Sequence, residues 1–245
     1  MCRPASFIVT KKQVFWSKIS ESHESIIGEN ELKEMDVRNK PTFIRVEIVP
    51  LDNDYRLSFK KWFYRLNQDI KPSWYDASDV ERRCRQQLKE WRKCKIIMPT
   101  KETNVKNGEF IITNYGTVND NHGTVSYNSG TVNSNYGTVN NNSGTVNDNH
   151  NTVDYNSGTV DNNYGTVNDN SGTVGNNSGT VDDNHGTVSY NSGTVNSNYG
   201  TVKKCTGNST VTTYVKLDKG ILQSANAVLI DRSGDSPKCY IGSEN

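Results

Sequence analysis

The chain has 245 residues, a hydrophobic share of only 32% and a formal net charge of +1. No run is long and apolar enough to cross a membrane, and the opening "MCRPASFIVTKKQ" lacks the apolar core and small-residue cleavage site of a secretory signal. Five cysteines, at 2, 84, 94, 205 and 239, have neither metal nor disulfide spacing, so a reducing, cytoplasmic setting without metal or other cofactor is expected.

The near-zero net charge hides an asymmetry. Residues 1–114 carry 22 Lys+Arg against 16 Asp+Glu, whereas residues 115–202 carry no Lys or Arg and seven Asp. The composition shift near residue 100 divides the chain into a head domain (1–100), an N-terminal cap (101–115), a repeat (116–202) and a C-terminal capping β segment (203–245).

In the head, "ASFIVT" and "VFWS" flank Lys11-Lys12-Gln13 and predict a hairpin. "SHESIIGENELKEM" predicts a helix with Ile26, Ile27 and Leu32 inward. "PTFIRVEIVP" alternates Phe43, Arg45 and Glu47 against Ile44, Val46 and Ile48, the mark of a strand with a dry face. "YRLSFKKWFYRLN" predicts a further strand or a bent pair. The clearest helix begins at "SDVERRCRQQLKEWRKCK", where Ser78 and Glu81 match a capping box and Val80, Cys84, Leu88, Trp91 and Cys94 form one apolar stripe. The same helix carries Arg82, Arg83, Arg85, Lys89, Arg92 and Lys93, a candidate basic contact face of the kind that displaces counterions from nucleic-acid phosphates. A solvated helix face accounts for those charges more simply, because exposed aromatics are not interleaved among them.

From Gly116 the heptad G-T-V-x-x-N-x recurs thirteen times to Val202, with Asn151 the one replacement at the Gly position. A fixed short period identifies a stacked architecture. Gly and Asn tolerate positive φ, so a left-handed corner is expected there, followed by about three residues of strand with Val pointing in. Asparagine stands five residues after each Gly position but the last, at Asn121, Asn128, Asn135, Asn142, Asn149, Asn156, Asn163, Asn170, Asn177, Asn184, Asn191 and Asn198. Stacked at a strand spacing of roughly 4.8 Å, these amides can bond coil to coil as a structural ladder.

The residue before each Gly position alternates large with small, beginning His122, Ser129, Tyr136, Ser143. Like stacks on like when a coil is two heptads, fourteen residues with two strands, and one extra heptad at 175–181 moves the alternation by a side. The expected fold class is an α+β head followed by an all-β parallel solenoid, a right-handed β-helix, its repeat a rod about 30 Å long.

"MCRPASFIVT", "VFWS", "SHESII", "FIRVEIVP", "NQDIKPSWYDA", "LKEWRK" and the terminal "NAVLIDRSG....CYIG" resemble an uncharacterised family of bacterial and phage proteins that join such a head to solenoid repeats. The resemblance covers residues 1 to about 95 and the tail; relatives use more Val-rich repeat units. It implies a head-plus-solenoid layout and a bacterial host cell or virion as the setting, and it supplies no activity.

Three function classes follow. The first is a non-enzymatic structural or interaction protein whose solenoid binds a protein partner or other copies of itself, with Tyr127, Tyr155, Tyr190 and the His/Tyr corner as its large contact groups. The second is an N-terminal-cysteine enzyme or aldehyde-reactive protein, with Cys2 exposed after methionine removal and His23 as acid–base partner. The third, an ice-binding surface of stacked Thr, lacks the expected second Thr rank. Nucleic acid is the weaker partner and a membrane is not expected.

Overall fold

The computed structural model describes residues 4–243, in two compact units, Met1–Ile96 and Ile97–Asn245. The first unit is a small α/β body. It contains β1 (Ala5–Thr10), β2 (Val14–Phe15), α1 (His23–Glu29), β3 (Phe43–Pro50), β4 (Trp62–Leu66) and α2 (Ala77–Lys95). The strands form one antiparallel sheet in the order β2-β1-β3-β4.

Five consecutive residues of β1, Ala5 to Val9, are buried. Side chains alternate along a strand, so both faces of β1 are covered. On one of them Ile8 packs with Ile26 of α1 and Phe43 of β3, supported by Phe15, Ile27 and Leu32. Helix α1 is shorter than its sequence pattern and ends at Glu29, where the Asn30 side chain donates to the Ile26 carbonyl at 2.8 Å.

The N-cap of α2 is Asp76 and not Ser78. Its carboxylate accepts the Asp79 amide at 2.7 Å, so the helix starts one residue before the expected capping box. Val80, Cys84, Leu88 and Trp91 are buried as the stripe requires; Cys94 is half-buried, and Lys95 continues the buried face instead. Trp91 meets Trp62 edge-on with ring centroids 6.0 Å apart and stacks at 6.3 Å on Tyr55.

The second unit is a β-solenoid. After β5 (Ile96–Ile97), β6 (Glu102–Val105) and β7 (Phe110–Asn114) come thirteen repeat strands, β8 (Thr117–Asn121) to β20 (Thr201–Cys205), one per heptad. They are followed by β21 (Thr210–Thr213), β22 (Val228–Asp231) and β23 (Lys238–Ile241). Alternate strands join the same sheet, so two strands make each fourteen-residue coil and every Val sits on the Val fourteen residues away. The slip at 175–181 leaves this parallel register unbroken.

Each repeat strand is five residues, two more than expected, and reads Thr-Val-x-x-Asn in all but the last, where Cys205 takes the place of asparagine. Pairing engages the first, second, fourth and fifth positions and passes over the third. Regular alternation is therefore interrupted: Val and Asn both lie inside although three positions apart, and the two residues between them face out.

The glycines also play a different part from the one expected. None of the repeat glycines, nor Asn151, has a positive φ; among glycines only Gly108 and Gly207, in the flanking turns, do. What excludes a side chain is the coil below. A Cβ added at Gly144 would lie 2.1 Å from the Gly130 carbonyl oxygen, and at Gly158 it would lie 2.1 Å from that of Gly144. Asn151 displays the cost of a real Cβ at this site. The bond from the Thr152 amide to the Gly137 carbonyl beneath it is 3.4 Å, against 3.0 Å for Thr145 to Gly130 and 2.9 Å for Thr159 to Gly144.

The interior is a column of valines, 0–2% exposed from Val118 to Val202, closed by Ile97, Val105 and Ile111 at one end and Ile221, Leu222 and Leu229 at the other. Replacing Gly144 by Ala forces the same stretch upon a regular coil. We expect a loss of about 1–3 kcal/mol, the usual cost of overpacking, read as a lowered circular-dichroism melting temperature with the β spectrum retained.

Candidate functional site

Every inward asparagine of the repeat is 0–1% exposed, so its amide must be paired inside the protein. Each Nδ2 donates to the Oδ1 fourteen residues on, at 2.6–2.8 Å, and the two sheets therefore carry one ladder each. One ladder runs Asn114, Asn128, Asn142, Asn156, Asn170, Asn184 and Asn198 and ends on the Thr213 hydroxyl, 3.2 Å away. The other runs Asn121, Asn135, Asn149, Asn163, Asn177 and Asn191 and ends at Cys205, which replaces asparagine in that column. Burial pushes the Cys205 thiol up to about 11, opposed by hydrogen bonds from Ser209 and Asn191. The second amide hydrogen is used as well: Asn128 Nδ2 reaches the Thr145 carbonyl at 3.0 Å and Asn135 Nδ2 the Thr152 carbonyl at 3.0 Å.

Outside, a second set of amides points the opposite way along the stack. Asn133 donates to Asn119 and Asn147 to Asn133, each at 3.0 Å. Asn162 donates to Asp148 and Asn168 to Asp154, each at 2.9 Å, and Asn196 donates to Asp182 at 2.6 Å. These carboxylates are stabilised by amides of the next coil in a segment that has no Lys or Arg.

The corner residues form aromatic stacks. His122, Tyr136, His150 and Tyr164 succeed one another with centroids 4.8–5.1 Å apart and planes within 5–11° of parallel. Beyond the slipped heptad the stack moves to the corner after the other sheet, as His185, Tyr199 and Tyr214 at 5.0 Å. Tyr136, Tyr164 and Tyr199 remain 45%, 54% and 46% exposed, and Tyr155 and Tyr190 on the flat faces 57% and 54%. Tyr127, the third face tyrosine, is less exposed.

In the head, Cys2 lies outside the described residues. His23 is the first residue of α1; its Nε2 lies 3.1 Å from the Val46 carbonyl, and burial holds its pKa below the usual histidine range. A neutral Nε2–H donating to that carbonyl is a structural contact.

The basic residues of α2 do not form one outward face. Arg85 donates to the Phe59 and Trp62 carbonyls at 2.9 and 2.8 Å and pairs with Glu81. Arg92 lies 4.1 Å over the Phe59 ring and donates to the Leu57 carbonyl at 3.2 Å. Arg83 donates to the Thr10 carbonyl at 3.1 Å, Arg82 pairs with Asp79, and Lys93 lies 4.0 Å from Glu90. Lys89 alone keeps to the exposed surface without such a contact among the described residues. Arg83 also lines a shallow cleft of about 340 Å³ with Lys12, Phe15, Gln86 and Gln87.

One buried charged pair was not anticipated. Lys95, 0% exposed, donates to the Lys18 carbonyl at 2.8 Å and lies 3.2 Å from Glu21, whose other carboxylate oxygen accepts from Trp91 Nε1 at 3.2 Å. Burial pushes Glu21 up to about 7 against the pull of Lys95, and the same burial lowers Lys95. The signal in the sequence is spacing: Lys95 stands four residues after Trp91, on the helix stripe. Among the described residues no three His, Cys, Asp or Glu side chains converge to hold a metal ion, and no helix is long and apolar enough to cross a membrane.

Three outcomes follow. Asn163→Ala removes the acceptor of Asn149 and the donor to Asn177, costing about 1–3 kcal/mol for each buried group left unpaired, measurable in denaturant melts. Lys95→Met removes the cation that opposes the burial of Glu21, so the carboxyl takes up a proton at neutral pH and the head loses no more than the roughly 3–5 kcal/mol of a broken buried pair, most of it at alkaline pH where Glu21 must ionise. Because the native state holds the Glu21 proton more tightly than the unfolded chain, its contribution is present below pH 4.5 and lost as pH rises towards about 7. Glu21→Gln should flatten the head's stability profile across that window.

Comparison with protein-family models, curated proteins and solved structures gives no match to this chain.

Proposed function

We propose that the chain is a non-enzymatic structural or interaction protein whose solenoid offers a rigid, repetitive surface to an extended protein partner or to further copies of itself. The observation that carries this reading is the fixed register of the outward columns. The interior is filled by valine and paired asparagine. What varies from coil to coil is the outer text, and its large groups are tyrosines about half exposed and, at the corners, held in place by stacking. Ordered aromatic side chains lose little conformational entropy on contact, which suits them to recognition. A phage or bacterial setting, in the cytoplasm or on a virion, accords with the resemblance of the head.

The repeat itself supplies conservative replacements. Ser178 occupies the corner column of Tyr136 and Tyr164, Asn141 stands beside Tyr155, and Asn176 stands beside Tyr190. A full chain carrying Tyr136→Ser, Tyr164→Ser, Tyr155→Asn and Tyr190→Asn should keep the native β spectrum. Immobilised native protein should retain a partner from phage-infected bacterial extract that this variant releases. Equal retention by both would remove the solenoid surface from the reading.

A further inference from the structure

The last two strands of the second unit depart from the chemistry of the repeat coils before them. In residues 116–202 the aliphatic side chains are the buried valines. In the β22–β23 hairpin Val228 stands opposite Ile241, Leu229 opposite Tyr240 and Ile230 opposite Cys239. Leu229 is buried and Tyr240 packs on the valine core, so strand alternation turns Val228, Ile230, Cys239 and Ile241 to the other face. Ile241 is 70% exposed, Cys239 is exposed, and Val228 and Ile230 are half-buried.

The two sheets also finish differently. At β20 the backbone is met by the next segment: Cys205 bridges to Leu222, and the Gln223 amide donates to the Cys205 carbonyl at 2.9 Å. The other sheet ends on β23, which has β22 as its one neighbour among the described strands. An end strand with unpaired N–H and C=O groups is a template for another strand, and here it carries aliphatic side chains beside that template.

We propose that β23 is a self-association edge, pairing antiparallel with β23 of a second copy of this chain about a twofold axis. The second copy is the occupant that the geometry favours. Antiparallel pairing of a strand with itself is self-complementary, so a single short strand supplies both halves of the interface. Sheet continuity requires residues opposite each other to share a face. Centred on Tyr240, the pairing places Cys239 of each copy opposite Ile241 of the other on the outer face. It sets no Lys238 against its own copy, where like charges would repel. The β22 outer residues Val228 and Ile230 then flank an apolar strip shared by both molecules. This surface is separate from the tyrosine columns, so the variants that test those columns leave it intact.

Sedimentation velocity of the full chain across micromolar concentrations should show a species of twice the chain mass. Ile241→Lys removes no core packing, because Ile241 is mostly exposed, and should weaken that dimer at least about tenfold (roughly 1.4 kcal/mol). A short bismaleimide should cross-link the native dimer through Cys239 and fail with Cys239→Ser. A chain that stays monomeric at every concentration overturns the proposal. So does a dimer that neither responds to Ile241→Lys nor cross-links through Cys239, since its interface then lies elsewhere.

Discussion

The constraint on which the second unit depends is its narrowness. A coil of two five-residue strands leaves inside room for one aliphatic and one amide side chain per strand. Valine fills the first place in every heptad, and its β-branched shape suits an extended backbone. The second place must be polar yet dry, and a buried amide is tolerable only when its donors and acceptor are satisfied. Asparagine meets this by donating to its copy in the next coil and to the backbone beyond it, a chain of bonds that each new coil lengthens without altering. The last donor of each ladder needs a different acceptor, and Thr213 receives Asn198 while Cys205 receives Asn191. Stacking at strand spacing also brings the corner backbones of successive coils so close that a single Cβ would meet a carbonyl oxygen at about 2 Å. The glycine is thus a spacing requirement between coils and not a turn requirement within one.

The outer surface follows from the same stacking. Neighbours of the same column lie one strand spacing apart, so aromatic corners stack and carboxylates find amide donors in the following coil. With the inner amides donating forward and the outer ones donating backward, the dipoles of the two sets oppose each other. The extra heptad at 175–181 costs the core nothing, because both heptads of a coil carry the same inward residues, yet it transfers the aromatic stack to the opposite corner. A change invisible to the interior therefore alters which edge of the solenoid a partner would meet.

The head obeys ordinary globular rules, and several of its charges hold backbone in place. Three arginines of α2 lie within hydrogen-bond reach of backbone carbonyls, which the aliphatic stems of such side chains permit. The Lys95–Glu21 pair fastens the segment before α1 to the end of α2, with Trp91 supplying a further donor. A buried pair of this kind adds less to stability than its removal by halves takes away.

Read alone, the amino-acid order determined the heptad period, the two-strand coil, the inward Val and Asn columns and the apolar stripe of α2. Each of these is a one-dimensional periodicity that any stacked or amphipathic structure must respect. Composition could not tell a glycine needed for φ from one needed for space, because both leave the same letter. It could not tell an arginine in water from one bonded to a carbonyl, nor place the helix cap at Asp76 over Ser78. Those outcomes depend on which backbone atoms arrive from distant parts of the chain, and only the folded arrangement brings them within a few ångströms.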